Sequence, residues 1–180
     1  MYEVEVKVPA DLERVRARLD EIGATPTGAV VQEDTYYDAP HRSFPETDEA
    51  LRIREERPGD GPNETRVTYK GPLVDDESKT REEVETAIGN GGKMDAVLSN
   101  LGFEPAATVR KERERFALEE YTITLDAVDE VGEYVEVETE VEHEDELESA
   151  REGAYEILER LDLDPDDQLR TSYLGLLLEG

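Results

Sequence analysis

Apolar and charged residues alternate along most of this chain. In EVEVK at residues 3–7, Glu3, Glu5 and Lys7 fall on one face of an extended strand and Val4 and Val6 on the other, because successive strand side chains point to opposite faces. Strand character covers residues 2–8. The same period recurs in AVVQEDTYY (29–37), ALRIREE (50–56), TRVTYKG (65–71), KTREEVETAI (79–88), TVRKERERFAL (108–118), YTITLDAV (121–128) and GEYVEVETEV (132–141). These segments predict eight strands at hairpin spacing, with PGDGPN (58–63) as a tight turn.

The period becomes helical in three places. Leu12, Val15, Leu19 and Ile22 predict a helix that stops at Gly23. After the break GNGGK (89–93), MDAVLSNLGF reads as a short helix, and Leu147, Ala150, Ala154, Ile157, Leu158 and Leu161 predict an amphipathic helix over 145–161. TSYLGLLLE (171–179) predicts a short terminal helix that packs on the core or on a second copy. No linker interrupts the pattern. The expected fold class is α+β: one domain over 1–180 whose antiparallel sheet curls into an eight-stranded β-barrel.

An ordinary small barrel has an apolar interior. Here three helices carry apolar stripes and need an apolar sheet surface to cover, which turns the charged faces inward. By parity those faces carry Glu3, Glu5 and Lys7; Arg52 and Arg54; Arg66, Thr68 and Lys70; Arg81, Glu83 and Glu85; Lys111, Arg113 and Arg115; Thr122, Thr124 and Asp126; and Glu136, Glu138 and Glu140. Lys7, Lys70 and Lys111 sit mid-strand although the chain has only five lysines. Carboxylates gather on the first and last strands and cations on the middle ones. Buried charge of one sign needs a partner. A polyphosphate suits the cationic wall, and a hard divalent cation that bridges to phosphate oxygens suits the carboxylate wall.

Composition narrows the setting. Asp and Glu number 48 against 20 Lys and Arg, for a net charge of −28. That balance opposes nucleic acid and anionic membranes and predicts a halophilic archaeal source. Cysteine is absent, so disulfides and thiolate metal sites are excluded. No run approaches the roughly 20 apolar residues of a membrane span, and a cytoplasmic setting is expected. His41 and His143 stand alone in polar segments, and GNGGK lacks the spacing and the Ser/Thr of a phosphate-binding loop. Asp34 and Tyr36 share a strand face that either touches substrate or packs in the core.

EVEVK, QEDTYYD (32–38), ALRIRE (50–55), TYKGP (68–72), TREEVE (80–85), VRKERERF (109–116), LDAVDEVGEYVEVE (125–138) and SYLGLL (172–177) occur in order over nearly the whole chain. This series resembles the CYTH superfamily, the triphosphate tunnel metalloenzymes that include class IV adenylyl cyclases and thiamine triphosphatases. The resemblance implies a carboxylate wall of Glu3, Glu5, Asp126, Glu136 and Glu138 for Mg²⁺ or Mn²⁺. It implies a triphosphate grip by Lys7, Arg52, Arg54, Lys70, Lys111 and Arg113, with Arg81, Glu83 and Glu85 on the same faces. Glu5, with Lys7, would serve the chemistry. Arg115 falls toward a strand end and Glu140 toward the surface. The length, ALRIR and YYDAP resemble the class IV adenylyl cyclase branch, which implies conversion of ATP to cyclic AMP and pyrophosphate. A triphosphatase acting on an inorganic or thiamine-type triphosphate is the alternative, and a non-catalytic polyphosphate- or nucleotide-binding module the third. The family also implies a homodimer.

Overall fold

The computed structural model describes residues 1–179. In chain order the elements are β1 (Tyr2–Pro9), α1 (Leu12–Ile22), β2 (Thr25–Asp38), α2 (Phe44–Thr47), β3 (Ala50–Pro58), β4 (Glu64–Leu73), β5 (Lys79–Ala87), α3 (Gly91–Asn100), β6 (Glu104–Leu118), β7 (Tyr121–Val128), β8 (Gly132–Val141), α4 (Leu147–Arg160) and α5 (Tyr173–Glu179). The strands close into an antiparallel barrel in the order β1-β5-β4-β3-β2-β6-β7-β8. The expected barrel is therefore present. β2 and β6 begin earlier than their alternation indicated, at Thr25 and Glu104, and α2 carried no periodic signal.

On β1, β7 and β8 the outer surface is apolar and helix-covered. Val6, Val8, Ile123, Leu125, Val135 and Val137 on β1, β7 and β8 pack against Leu12, Val15 and Leu19 of α1 and Ala154, Ile157 and Leu158 of α4. Burying each large aliphatic side chain is worth about 1.5–3 kcal/mol, so this layer holds β1 and β8 in place. α1 starts where the Asp11 carboxylate accepts from the backbone N–H of Glu13 at 3.1 Å. It ends at Gly23, whose φ of 82° suits a residue without a Cβ. A smaller cluster sets Leu98 of α3 on Tyr37 and Ile53 of β2 and β3. GNGGK is a helix entry, with Asn90 capping the N–H of Lys93 at 3.0 Å.

The C-terminal segment crosses one end of the barrel. The Leu169 N–H donates to the Lys7 carbonyl at 2.7 Å. Tyr173 is buried with Val109, Val128 and Tyr134, all on inward-facing positions. α5 thus belongs to the core at Tyr173, while Leu178 is 71% exposed. Among the described residues, no helix is long and apolar enough to cross a membrane.

Candidate active site

Barrel closure puts the charged faces inside. They line a cavity of about 780 Å³. Nine of the chain's 20 basic residues lie on its wall, against 12 of its 48 acidic ones. Positive charge is therefore selected for the interior of a strongly negative protein.

β3, β4 and β5 carry the least restrained cations. Arg52 is buried, its nearest carboxylate oxygen is Asp34 Oδ2 at 3.9 Å, and its Nε has no hydrogen-bond partner. Lys70 Nζ is 3.6 Å from Glu83. Arg66 spans Glu64 and Glu85 at the far mouth. Arg81 is tied to the frame instead. The β4–β5 register slips between Lys70 and Leu73, and the Gly71 carbonyl accepts from Arg81 at 2.7 Å.

Arg54, Lys111 and Arg113 are anchored by buried carboxylates. Asp34, with no exposed surface, accepts from Arg54 Nε and a terminal nitrogen at 2.7 Å each and from Lys111 at 3.1 Å. Burial opposes ionisation of Asp34, but Lys111 and Arg54 outweigh it and hold its carboxyl well below the usual range. Burial pushes the Lys111 amine down to about 7, with Asp34 pulling against the fall. Arg113 forks onto Asp126 with two contacts of 2.6 Å and reaches Glu136 at 2.6 Å. Arg115 pairs with Glu56 at 2.7 Å on the wall rather than standing free in solvent.

The carboxylate wall divides in two. Oxygens of Glu3, Glu5 and Glu138 lie within 4.8 Å of one another, brought together because Glu5 sits opposite Glu138 in the β1–β8 register. Asp126 and Glu136 engage Arg113, and Glu136 also lies beside Glu5 of the trio. Burial, with the charges of Glu3 and Glu5, raises the Glu138 carboxyl well above its ordinary value. Burial and Glu5 push Glu136 up to about 8. Glu5 is held ionised well below its ordinary value, because Lys79, Lys70 and Lys7 outweigh its burial. Its Oε2 is buried against the Lys79 ammonium at 2.8 Å. Three crowded carboxylates, one of them held ionised, fit a hard divalent cation.

Lys7 is inward-facing but covered. Its ammonium donates to the Thr171 carbonyl at 2.5 Å and lies 4.1 Å from the centre of the Tyr173 ring. Burial and Lys79 push its amine down to about 7. Tyr173 in turn donates to Asp126 at 2.7 Å. Glu83 and Glu85 line the wall, and Glu140 is an exposed mouth residue. His41 and His143 are exposed.

Asp34, Lys79 and Tyr173 are the site residues that sequence reasoning underweighted. Lys79 shares the parity of Arg81, Glu83 and Glu85, which was a usable signal, but it opens its strand after a loop. Its ammonium is 2.8 Å from Glu5 Oε2.

At the α5 end the charged wall meets apolar residues, with Asp38, Asp48 and Glu49 among them. Tyr36, Phe44, Pro45, Leu174 and Leu178 line the same cavity there. The opposite mouth is polar, with Arg66, Glu85, Arg115, Glu120 and Thr122.

Comparison with known proteins agrees with this architecture. The family model described as the CYTH domain matches residues 1–173. A Methanocaldococcus jannaschii protein named as a candidate adenylate cyclase is 40% identical over 177 residues, covering 98% of each chain. A Pyrococcus horikoshii protein of solved structure is 41% identical, covers 98% of each chain and superposes with a TM-score of 0.92. A Hippeastrum protein, described as an adenylyl cyclase candidate with a dominant triphosphatase activity, shares the fold at a TM-score of 0.68 and 17% identity, over 99% of this chain and 95% of that one.

Proposed function

Since the chain belongs to the CYTH family, we propose that its tunnel is the active site of a metal-dependent enzyme that converts ATP to 3′,5′-cyclic AMP and pyrophosphate. The observation that carries the nucleotide reading is the join between the cationic wall and the apolar mouth of Tyr36, Phe44, Pro45, Leu174 and Leu178. A triphosphate lies along Arg52, Lys70, Lys79 and Lys111, and a flat base meets the aromatic mouth. The cavity, about 780 Å³, falls in the range of small-molecule sites.

Glu3, Glu5 and Glu138 would hold Mg²⁺ or Mn²⁺, which when bound supplies charge that polarises phosphate oxygens and acidifies a hydroxyl. The chain's own part is positioning and charge. Arg52 and Arg54 present N–H groups to non-bridging oxygens, and Lys70 adds a point charge. The bond from the ribose 3′-oxygen to the α-phosphorus forms as the bond from that phosphorus to the pyrophosphate oxygen breaks. The hydroxyl proton passes to the Glu5–Lys7 pair on β1. Glu5 is ionised, and the Lys7 amine, at about 7, exchanges a proton at neutral pH. Lys7 lies behind the wall, so it acts through Glu5. Asp126 and Glu136 fix Arg113 rather than meet substrate.

Hydrolysis of a triphosphate is the second reading. One observation favours it: the cationic wall runs from Lys79 to Arg66 and Arg115 with no need of a nucleoside. The activity described for the Hippeastrum protein accords with it. Phosphorus NMR in molar KCl, with ATP and Mg²⁺ or Mn²⁺ and a tripolyphosphate control, separates the two. Cyclic AMP with pyrophosphate supports the cyclase. Orthophosphate from tripolyphosphate without a cyclic product replaces it with the triphosphatase, and silence with both substrates in folded protein removes both.

A further inference from the structure

We infer that Lys79 is an exchangeable counter-ion, which holds Glu5 when no divalent cation is bound and transfers to a substrate phosphate when one arrives. The inference rests on the triphosphate-tunnel reading above and adds a residue to it.

Lys79 and Glu5 are register partners across β1 and β5. The ammonium stands 2.8 Å from Glu5 Oε2, a buried oxygen that no other described group hydrogen-bonds. The contact is a close ion pair made by one flexible ammonium, rather than the two-pronged fork that fixes Arg113 on Asp126. Glu5 belongs to the carboxylate trio with Glu3 and Glu138, so ammonium and divalent cation compete for one carboxylate. Two charges this close repel strongly in a low-dielectric interior, and the weaker ligand must leave.

The tip is free to leave and the base is not. Lys79 lines the cavity on a flexible four-carbon stem. The preceding loop is pinned. Arg170 donates to the Asp75 and Ser78 carbonyls at 2.6 and 3.3 Å, Arg151 to Asp75 at 3.1 Å, and the Val74 N–H to the Thr80 carbonyl at 2.8 Å. The ammonium therefore swings about a fixed backbone, from Glu5 toward the phosphate path beside Lys70. Metal entry would then release a cation for substrate, which couples the two binding events through one side chain.

Two separate calorimetric titrations in molar KCl test this without any turnover: Mn²⁺ alone, and a non-hydrolysable methylene-bridged tripolyphosphate into protein already saturated with Mn²⁺. In Lys79→Met, Mn²⁺ affinity rises at least threefold because its competitor is gone, and tripolyphosphate affinity falls at least threefold. Lys79→Gln, which keeps a donor to Glu5 without the charge, gives the same two signs and serves if the Met variant does not fold. Lys79→Arg keeps tripolyphosphate affinity within about threefold, as charge retention requires. Unchanged or weaker Mn²⁺ binding in the neutral variants overturns the exchange. So does unchanged tripolyphosphate binding, which would leave Lys79 a fixed neutraliser of the acidic wall. Wild-type protein that binds neither probe overturns the tunnel reading itself, and this inference with it.

Discussion

Asp34→Asn is the substitution with the largest consequence that can be worked from the geometry. The side chain is fully buried, and its two oxygens hold Arg54 in a fork at 2.7 Å and Lys111 at 3.1 Å. Arg52 stands 3.9 Å away. The amide has nearly the same shape, so no cavity forms. What changes is that the anion holding Arg54 and Lys111, and facing Arg52, loses its charge. Removing one partner of a buried ion pair costs about 3–5 kcal/mol. A domain holds about 5–15 kcal/mol in total, so the variant sits near the edge of folding. Urea denaturation in molar KCl reads the difference, provided the m-value is unchanged. The exposed pair Arg16–Glu114, with side chains 45% and 38% exposed, is the control, and Glu114→Gln costs at most about 1 kcal/mol.

The pH dependence gives a second check with a definite sign. Asp34 is held ionised well below the usual carboxylate range, so its stabilisation is present above the unfolded value, about 3.9. It fades as pH falls toward the folded value. The gap between wild type and Asp34→Asn therefore narrows below about pH 4. A cost under about 1 kcal/mol at pH 7, equal to that of the surface control, would refute the claim that Asp34 organises the cationic wall.

Four further outcomes are expected. Arg52→Ala weakens tripolyphosphate binding at least tenfold, about 1.4 kcal/mol, with a smaller loss of stability than Asp34→Asn, because the Arg52 Nε has no protein partner to lose; equal binding by calorimetry would remove Arg52 from the grip. Gly153→Ala destabilises despite alanine's helix preference of about 1 kcal/mol, since the added Cβ runs into the Tyr121 hydroxyl that donates to Ala150 at 2.8 Å. Overpacking of this kind costs about 1–3 kcal/mol, and adding Tyr121→Phe should recover part of it in thermal melts. Glu136, at about 8, binds a proton in the folded state that it releases when unfolded, so Glu136→Gln gains on metal-free wild type as pH rises from 5 toward 8, and a pH-independent difference in urea midpoint counts against the raised value. With a net charge of −28, the unfolding midpoint rises with KCl through the screening range, and a flat salt profile would oppose the halophilic expectation.

The barrel was legible because polarity alternates with a period of two on most strands while three helices carry apolar stripes. Those facts together fix which face turns inward, and they place Glu3, Glu5, Arg52, Arg54, Lys70, Lys111 and Arg113 on it without any long-range information. What the pattern lacks is azimuth. Parity gives the face of a residue but not its neighbour around the barrel. Asp34 was therefore visible as an inward residue beside Tyr36 while its fork with Arg54 was not. Asp126 and Glu136 read as members of one carboxylate wall, yet the register sets them on Arg113 and leaves Glu3, Glu5 and Glu138 as the clustered trio. Tyr173 was hidden for another reason. It lies on a short terminal helix whose apolar run is equally consistent with core and contact, and only the bridge from Leu169 to Lys7 draws it under the barrel.

The step that assembles the site is the pairing of β1 with β5. The β4–β5 and β6–β7 hairpins set Lys70 opposite Glu83 and Arg113 opposite Asp126, while β3 and β4 keep cations together, with Arg54 opposite Arg66. Carboxylates likewise sit beside carboxylates, as where β1 meets β8. Closure of β1 on β5 sets the strand that carries Glu3 and Glu5 against a basic one, with Glu3 opposite Arg81 and Glu5 opposite Lys79. A bridging cation between carboxylates and phosphate has to lie at such a seam, since it needs anionic oxygen from the protein on one side and from the substrate on the other. The seam is held from outside by α4 packing on β1 and β8 and by Arg151 reaching from α4 to Asp75 before β5. The helix that stabilises the barrel thus also fixes the register on which the Lys79–Glu5 exchange depends.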